Sequence, residues 1–583
     1  MATRYAWNLG PCAPTVQAAL EQMKADDVIR RLLRADPSLW AGDPAGQAAV
    51  ANRLGWLAVP RVMAGHLAMI TRTAAELREA GYSHALVLGM GGSGMFPEVC
   101  RHTFGVGTGC LDLAVLDSTD PAAVTAAQRR GMLERTVIVV SSKSGTTSEI
   151  QALCAYFYEA LKALGPRPGE RCLAITDAGT PLEAQARALG FRRIFAHGPG
   201  TGAEVGGRFA ALTCFGLVPA ALMGVDVAEL LQRAEETLER CAPDAMNVSE
   251  PPAARLGAML GSLAAQGRDK LTLVFGPAQE RFGIWLEQLI AESLGKQGRG
   301  LVPILGEPRK DAGAYGPDRV FVTWRLATRR DEELERWEQT LEQAGHPLVR
   351  IDWDEAYDLG GEVITWSLAT AIAGALMEIN PFDEPDVKAA KDRTALVLER
   401  FTRDGRWPEP SGASCSGEGV SLYAATAPCA ERSPAAWLHA FLRALRPGEY
   451  LGLLSFLPRT AAVDHAVSSW RARLSERLAV PTLLEIGPRY LHSTGQLYKG
   501  GPDTGAFLLL TAEESDDLPI PGQPFGLGVL KQAQALGDFD AMQQRHRRIL
   551  RLHLTAPVEQ ALPRLDRLFA EATRSDQVYN TRR

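Results

Sequence analysis

Residues 137–150 read VIVVSSKSGTTSEI: an apolar run, then seven small or hydroxylated residues carrying one lysine, then a glutamate opening EIQALCAYFYEALKAL (149–164). The run has the length and branching of a buried strand, and the segment after the loop spaces its apolar residues as an amphipathic helix does. Strand, short loop and helix make one unit of an α/β fold. Similar runs flank it: ALVLGM (85–90), LAVLD (113–117), CLAIT (172–176) and RIFAH (193–197), with helical stretches between them. Such a series predicts a doubly wound parallel sheet with ligands beyond the carboxyl ends of its strands. KLTLVF (270–275), RVFVTW (319–324) and LVRIDW (348–353) predict a second.

The expected organisation is therefore a helical segment over 1–80, a first α/β domain over 81–250 and a second over 251–402. Residues 403–434, rich in Pro, Gly and Ser, are expected as a linker or mobile loop. EYLGLLSFL, PTLLEIG, GAFLLLT and RILRLHL then predict a C-terminal α/β region over 435–583, with a helix over 556–576.

Composition narrows the function. The 583 residues are 46% hydrophobic and 22% charged, with a formal net charge of −6. That balance argues against a nucleic-acid partner or an anionic membrane surface. Nine scattered cysteines without a CxxC pair suggest neither a disulfide framework nor a zinc ribbon, which suits a reducing cytoplasm. No stretch approaches ~18 consecutive apolar residues, and the first residues lack a signal-peptide core. Ten histidines include no HExxH, so no metal site is expected.

The loop in the opening stretch points to an oxyanion. Ser142, Ser144, Thr146 and Thr147 offer hydroxyls and Lys143 a positive charge, all at a helix N-terminus. Thr146-x-x-Glu149 is also a capping box, but one cap needs only one hydroxyl. A second small-residue loop, VLGMGGSGMFPE (87–98), contains Gly91, Gly92 and Ser93 and matches the dinucleotide pattern at Gly89, Gly91 and Gly94. Asp117 ends the next strand, at a longer interval than a ribose-binding acid usually takes. Two neighbouring loops of this kind suit a small phosphorylated ligand better than a nicotinamide cofactor, and tight helix–strand packing also accounts for the glycines.

Acid–base candidates follow. In WLEQLIAESLGK (285–296), Glu292 shares a helix face with Trp285 and Leu289. Partial burial there would make it a better base near neutral pH, whereas an exposed Glu292–Lys296 pair is the plainer reading. Arg208 follows two glycines at the head of an apolar helix (206–224), where it would meet a carboxylate, a developing oxyanion or simply a loop. Lys391 lies on a helix after INPFDEP (379–385), and His492 in the polar loop GPRYLHSTGQLYKGGPDTG (487–505).

Taken together, GMGGS, SSKSGTTSE, GGRF, IAESLGK, GEP and NPFDEPDVKAAK stand in the order of the glucose-6-phosphate isomerase family, of the sugar isomerase (SIS) superfamily. DSTDPAAV, GLVPAALMG and RYLHSTGQLYKGGPDTG further resemble the isomerase half of bifunctional transaldolase/glucose-6-phosphate isomerases. The resemblance implies two SIS-type domains and a cofactor-free, metal-free aldose–ketose isomerase of sugar phosphates. It implies that Gly91, Gly92, Ser93, Ser142, Lys143, Ser144, Thr146 and Thr147 contact the phosphosugar. Glu292 would move a proton between C2 and C1, Arg208 would stabilise the cis-enediolate and Lys391 would assist ring opening. It also suggests a homodimer, and leaves open a transaldolase as a functional associate.

Two departures stand out. GEPRKDAGAYGPD (306–318) has no histidine where the family carries its ring-opening one; Ala314 or Tyr315 stands there, and His492 is the substitute. Glu384 replaces a glutamine common in the family. A non-catalytic sugar-phosphate sensor and a mannose 6-phosphate isomerase are the alternatives to a glucose 6-phosphate enzyme.

Overall fold

The computed structural model describes residues 3–130, 132–198, 204–242, 250–408, 412–514 and 516–573. It is a mixed α/β architecture built on three sheets. The first holds β2 (His84–Gly89), β3 (Asp112–Leu116), β4 (Thr136–Ser141), β5 (Cys172–Asp177) and β6 (Arg193–His197), all parallel, in the order β3-β2-β4-β5-β6. Alternate residues of β2 and β4 enter different cores: Ala85, Val87, Val137 and Val139 one, Leu86, Leu88, Ile138 and Val140 another. Both faces are thus buried, which is why these strands read as unbroken apolar runs.

The second sheet has the order β1 (Arg4–Asn8), β10 (Leu348–Trp353), β9 (Arg319–Leu326), β7 (Lys270–Phe275) and β8 (Val302–Leu305). Its edge strand β1 runs antiparallel to β10 and comes from the segment expected to be helical; the helices Ala13–Ala25 and Leu67–Glu79 follow it. The Asp358–Leu376 helix is long and apolar enough to cross a membrane by length and composition, but it is buried against the helices Val227–Arg240 and Pro252–Ala265. It is a core helix.

The third sheet has the order β11 (Ala413–Gly417), β12 (Val420–Ala424), β16 (Arg548–Leu554), β15 (Gly505–Ala512), β13 (Tyr450–Ser455) and β14 (Thr482–Ile486). Its β11–β12 hairpin corrects the expectation of a linker over 403–434. Small residues hid the hairpin, which pairs with β16 and buries Cys415, Val420 and Leu422 in the core of the third sheet. The third sheet packs against the second through a shared core that includes Ala291, Val302, Ile304, Leu454 and Phe507. The last helix spans Val558–Ala572; residues 574–576 of its expected range lie outside the described residues.

Candidate active site

The three sheets converge on one cluster. From the first comes the loop after β4. Ser142 Oγ donates to Thr147 Oγ1 (3.2 Å), Ser144 and Thr146 hydroxyls share a bond of 2.9 Å, and Lys143 pairs with Asp177 at the end of β5. The N-cap of the Ser148–Lys162 helix is Thr147, with no side-chain cap bond, so the Thr146–Glu149 capping box does not form. Glu149 turns instead toward His492. An uncapped helix start beside four hydroxyls and a lysine retains its capacity for an anion.

The loop after β2 explains its glycines by close approach. Gly91 has φ +55°, a conformation that favours glycine. A Cβ on Gly92 would fall 2.0 Å from the Gly207 carbonyl, and one on Gly91 2.9 Å from the His492 carbonyl. The glycine loop is therefore pressed between the turns that carry Arg208 and His492, with Ser93 buried at its helix start. Asp117 pairs with Arg489 (2.8 Å), which also reaches Glu98 at 2.6 Å and so ties the third sheet to the first.

Arg208 is 1% exposed and is the hub. Its Nε donates to Ser293 Oγ (2.8 Å), and its Nη2 donates to the carbonyls of Pro381 (2.8 Å) and Asp383 (2.9 Å). Its Nη1 lies 3.2 Å from Glu292 Oε1 and 3.1 Å from Glu384 Oε2. Trp285 Nε1 donates to the Arg208 carbonyl (3.0 Å), so the helix bearing Glu292 also fixes the arginine's backbone.

Glu292 is buried on the Phe282–Leu294 helix. Burial pushes its carboxyl above the usual range; Arg208 opposes this, and Glu384 adds to it by like charge. Gln288, one turn earlier, donates its amide to Glu292 Oε2 (3.1 Å) and to the His492 carbonyl (2.9 Å). The i,i+4 spacing of Gln288 and Glu292 is the sequence signal for this bond. Lys296 does not make the exposed pair considered above. It is 1% exposed and donates to the carbonyls of Asn380 (2.9 Å) and Asp383 (2.5 Å), and burial with Arg208 nearby lowers its pKa to about 8.

His492 comes from the turn after β14. Its Nε2 lies 2.7 Å from Glu149 Oε1, which also accepts from Gln534 (2.6 Å). Burial alone would raise the Glu149 carboxyl, but the His492 charge and hydrogen bond, with a backbone bond and Ser148, hold it at about 2. With Nε2 held by Glu149, Nδ1 is the ring nitrogen left to exchange a proton with a ligand. Lys391 is exposed on the Val387–Asp404 helix and, among the described residues, joins neither Arg208 nor Glu292. Of the four predicted acid–base residues, Arg208, Glu292 and His492 are brought together and Lys391 is not.

The geometry can hold an anion at one end and move a proton at the other, and the comparisons point the same way. No family model matches the chain. A "probable glucose-6-phosphate isomerase" of Natronomonas pharaonis is 30% identical over 341 residues, covering 52% of this chain and 77% of that protein.

The chain belongs to the glucose-6-phosphate isomerase family.

A glucose-6-phosphate isomerase of Synechococcus sp. (strain JA-3-3Ab) is 29% identical over 360 residues, which span 54% of this chain and 66% of that relative. The crystal structure of a glucose-6-phosphate isomerase from Chlamydia trachomatis shares the fold with a TM-score of 0.54 and 17% identity, over 70% of this chain and 90% of that one. The family relationship thus covers part of the chain, at the distance such identities imply.

Proposed function

We propose that the chain interconverts glucose 6-phosphate and fructose 6-phosphate through a cis-enediolate, with Glu292 carrying the proton between C2 and C1. One observation carries this reading: a buried carboxylate with a raised pKa, 3.2 Å from a buried guanidinium, where two phosphate-suited loops meet. Burial makes Glu292 the stronger base, and Arg208 supplies the cation for oxygen charge that develops as the proton leaves.

In this reading the phosphate sits on Ser142, Lys143, Ser144, Thr146 and Thr147, with the backbone of Gly91, Gly92 and Ser93 bordering the sugar. His492, through Nδ1–H, gives a proton to the ring oxygen as the C1–O bond of the pyranose breaks, and takes one back from the anomeric hydroxyl. Lys391 assists from its exposed position on the Val387–Asp404 helix. The first two sheets act as paired doubly wound SIS-type domains, and the third extends them to deliver His492 within the same chain. We further infer kinship with the isomerase half of the bifunctional transaldolase proteins, a cytoplasmic homodimer and a transaldolase acting alongside.

A coupled assay of fructose 6-phosphate conversion, without added metal, tests the activity. Turnover supports the proposal. No turnover, with sugar phosphate still protecting against thermal unfolding, makes the chain a phosphosugar sensor instead.

Two predictions arise here. Glu384 raises the Glu292 pKa by like charge and shares Arg208 Nη1 with it. In Glu384→Gln the acid limb of kcat/KM therefore moves to lower pH, by about one unit or less for a neighbouring charge of this kind, in a pH–rate profile against wild type. Glu149, held at about 2 against an ordinary 4.5, contributes stability at pH 7 that is lost as pH falls from about 4.5 toward 2. Glu149→Gln is thus less stable than wild type in urea at pH 7, and the deficit narrows as the titration descends through that window.

A further inference from the structure

We propose that the third region carries a second ligand site, for a small organic anion with one carboxylate or phosphate and an apolar or aromatic body. A cavity of about 480 Å³ lies between the β12–β16–β15 face and the helices Val387–Asp404 and Leu527–Gln544. That volume is within the range of small-molecule pockets. Arg551 lines it from β16, 4% exposed, and among the described residues its buried Nη1 has no hydrogen-bond partner. Its Nε reaches only the Thr511 hydroxyl, at 3.3 Å, and its guanidinium lies over the Tyr423 ring at 4.7 Å.

Among the described residues no carboxylate forms an ion pair with Arg551; Asp540 acts on it only electrostatically. A buried guanidinium without a counter-ion is costly unless something anionic completes it. Burial lowers its pKa to about 10, so it stays charged at neutral pH. His553, two residues on and lining the same space, is lowered by burial and by Arg551 to about 4 and is neutral there.

Of the three carboxylates that line the cavity, Glu513 is exposed and the other two are engaged elsewhere. Glu514 pairs with Lys531, and Asp517 accepts the Gly528 and Val529 amides at the start of the Leu527–Gln544 helix. Phe401 and Trp407 also line the cavity, their rings 4.2 Å apart and tilted by 32°, and give the ligand body an aromatic wall. The cavity is separate from the cluster at Glu292, yet it shares the Leu527–Gln544 helix with it: Gln532 lines the cavity while Gln534 bonds Glu149.

Saturation-transfer NMR on the full chain, with benzoate and phenyl phosphate as probes, tests the site. At least one probe is expected to bind wild type, and a preference between them identifies the head group. Affinity is expected to fall about ten-fold or more in Arg551→Gln, the loss of one charge-assisted bond, and to fall in Trp407→Ala. It is expected to be unchanged in Lys143→Gln, at the rim of the other cluster. No transfer from wild type at about 10 mM probe, beyond the millimolar range of weak ligands, overturns the proposal. So does equal affinity in Arg551→Gln, or binding lost in Lys143→Gln, which would put the probe in the catalytic cluster. If Arg551→Gln fails to fold, Trp407→Ala and Arg551→Lys carry the comparison, and full wild-type affinity in both overturns the proposal equally.

Discussion

Glu292→Gln lowers kcat by about 10²- to 10⁴-fold, the range for removing a positioned general base, while KM changes little. The amide matches the carboxylate in shape, so the Gln288 and Arg208 neighbours keep their places, but it has no proton affinity near neutral pH. The comparison is a coupled assay on both proteins, with urea unfolding to show that the variant is folded. Because burial and Glu384 both disfavour the charged form of Glu292, the substitution is expected to leave stability unchanged or improved. A variant that keeps more than a tenth of the wild-type kcat would place the proton transfer on another group.

Arg208→Gln has the second large effect, and it acts on both activity and stability. Without the guanidinium, Glu292 and Glu384 face each other with no shared cation, and the carbonyls of Pro381 and Asp383 each lose a donor. Breaking a buried pair by removing one partner costs about 3–5 kcal/mol, measurable by urea unfolding. Loss of the group facing the developing oxyanion is expected to lower kcat by about 10²- to 10³-fold. A third readout separates chemistry from folding. Arg208 holds the Glu292 pKa down, so the acid limb of kcat/KM moves to higher pH in Arg208→Gln, opposite to Glu384→Gln. If both substitutions shift the limb the same way, the two charges do not act on Glu292 as described.

The central parallel strands were legible because both faces are buried, and their apolar runs leave no other interpretation. The Glu292 helix was legible as a helix, and Glu292 is buried as its place beside Trp285 and Leu289 suggested, although the helix is buried on nearly every side rather than on one face. What escaped was held by distant backbone. The β1 strand and β11 are sheet edges, and with β12 they are only five residues each among Pro, Gly and Ser or ahead of helices, so their short apolar patterns did not stand out. Lys296 reads as a solvated lysine until the turn at 380–383 arrives to receive it. Glu149 and His492 are separated by 343 positions, and only the third sheet brings them together. The capping-box spacing of Glu149 was real, but a histidine from elsewhere in the chain outcompeted the local cap. Arg551 carries no motif at all; its significance lies in the ion pair that it does not make among the described residues.

The central claim is proton transfer by Glu292, and solvent isotope incorporation tests it most directly. Wild-type protein would convert glucose 6-phosphate in D₂O, with deuterium at C1 of the fructose 6-phosphate product followed by NMR. The account predicts deuterium at C1 in a measurable fraction of product from wild type, and none above background from Glu292→Gln. Product formed with no solvent deuterium at C1, or the same incorporation in both proteins, would contradict it.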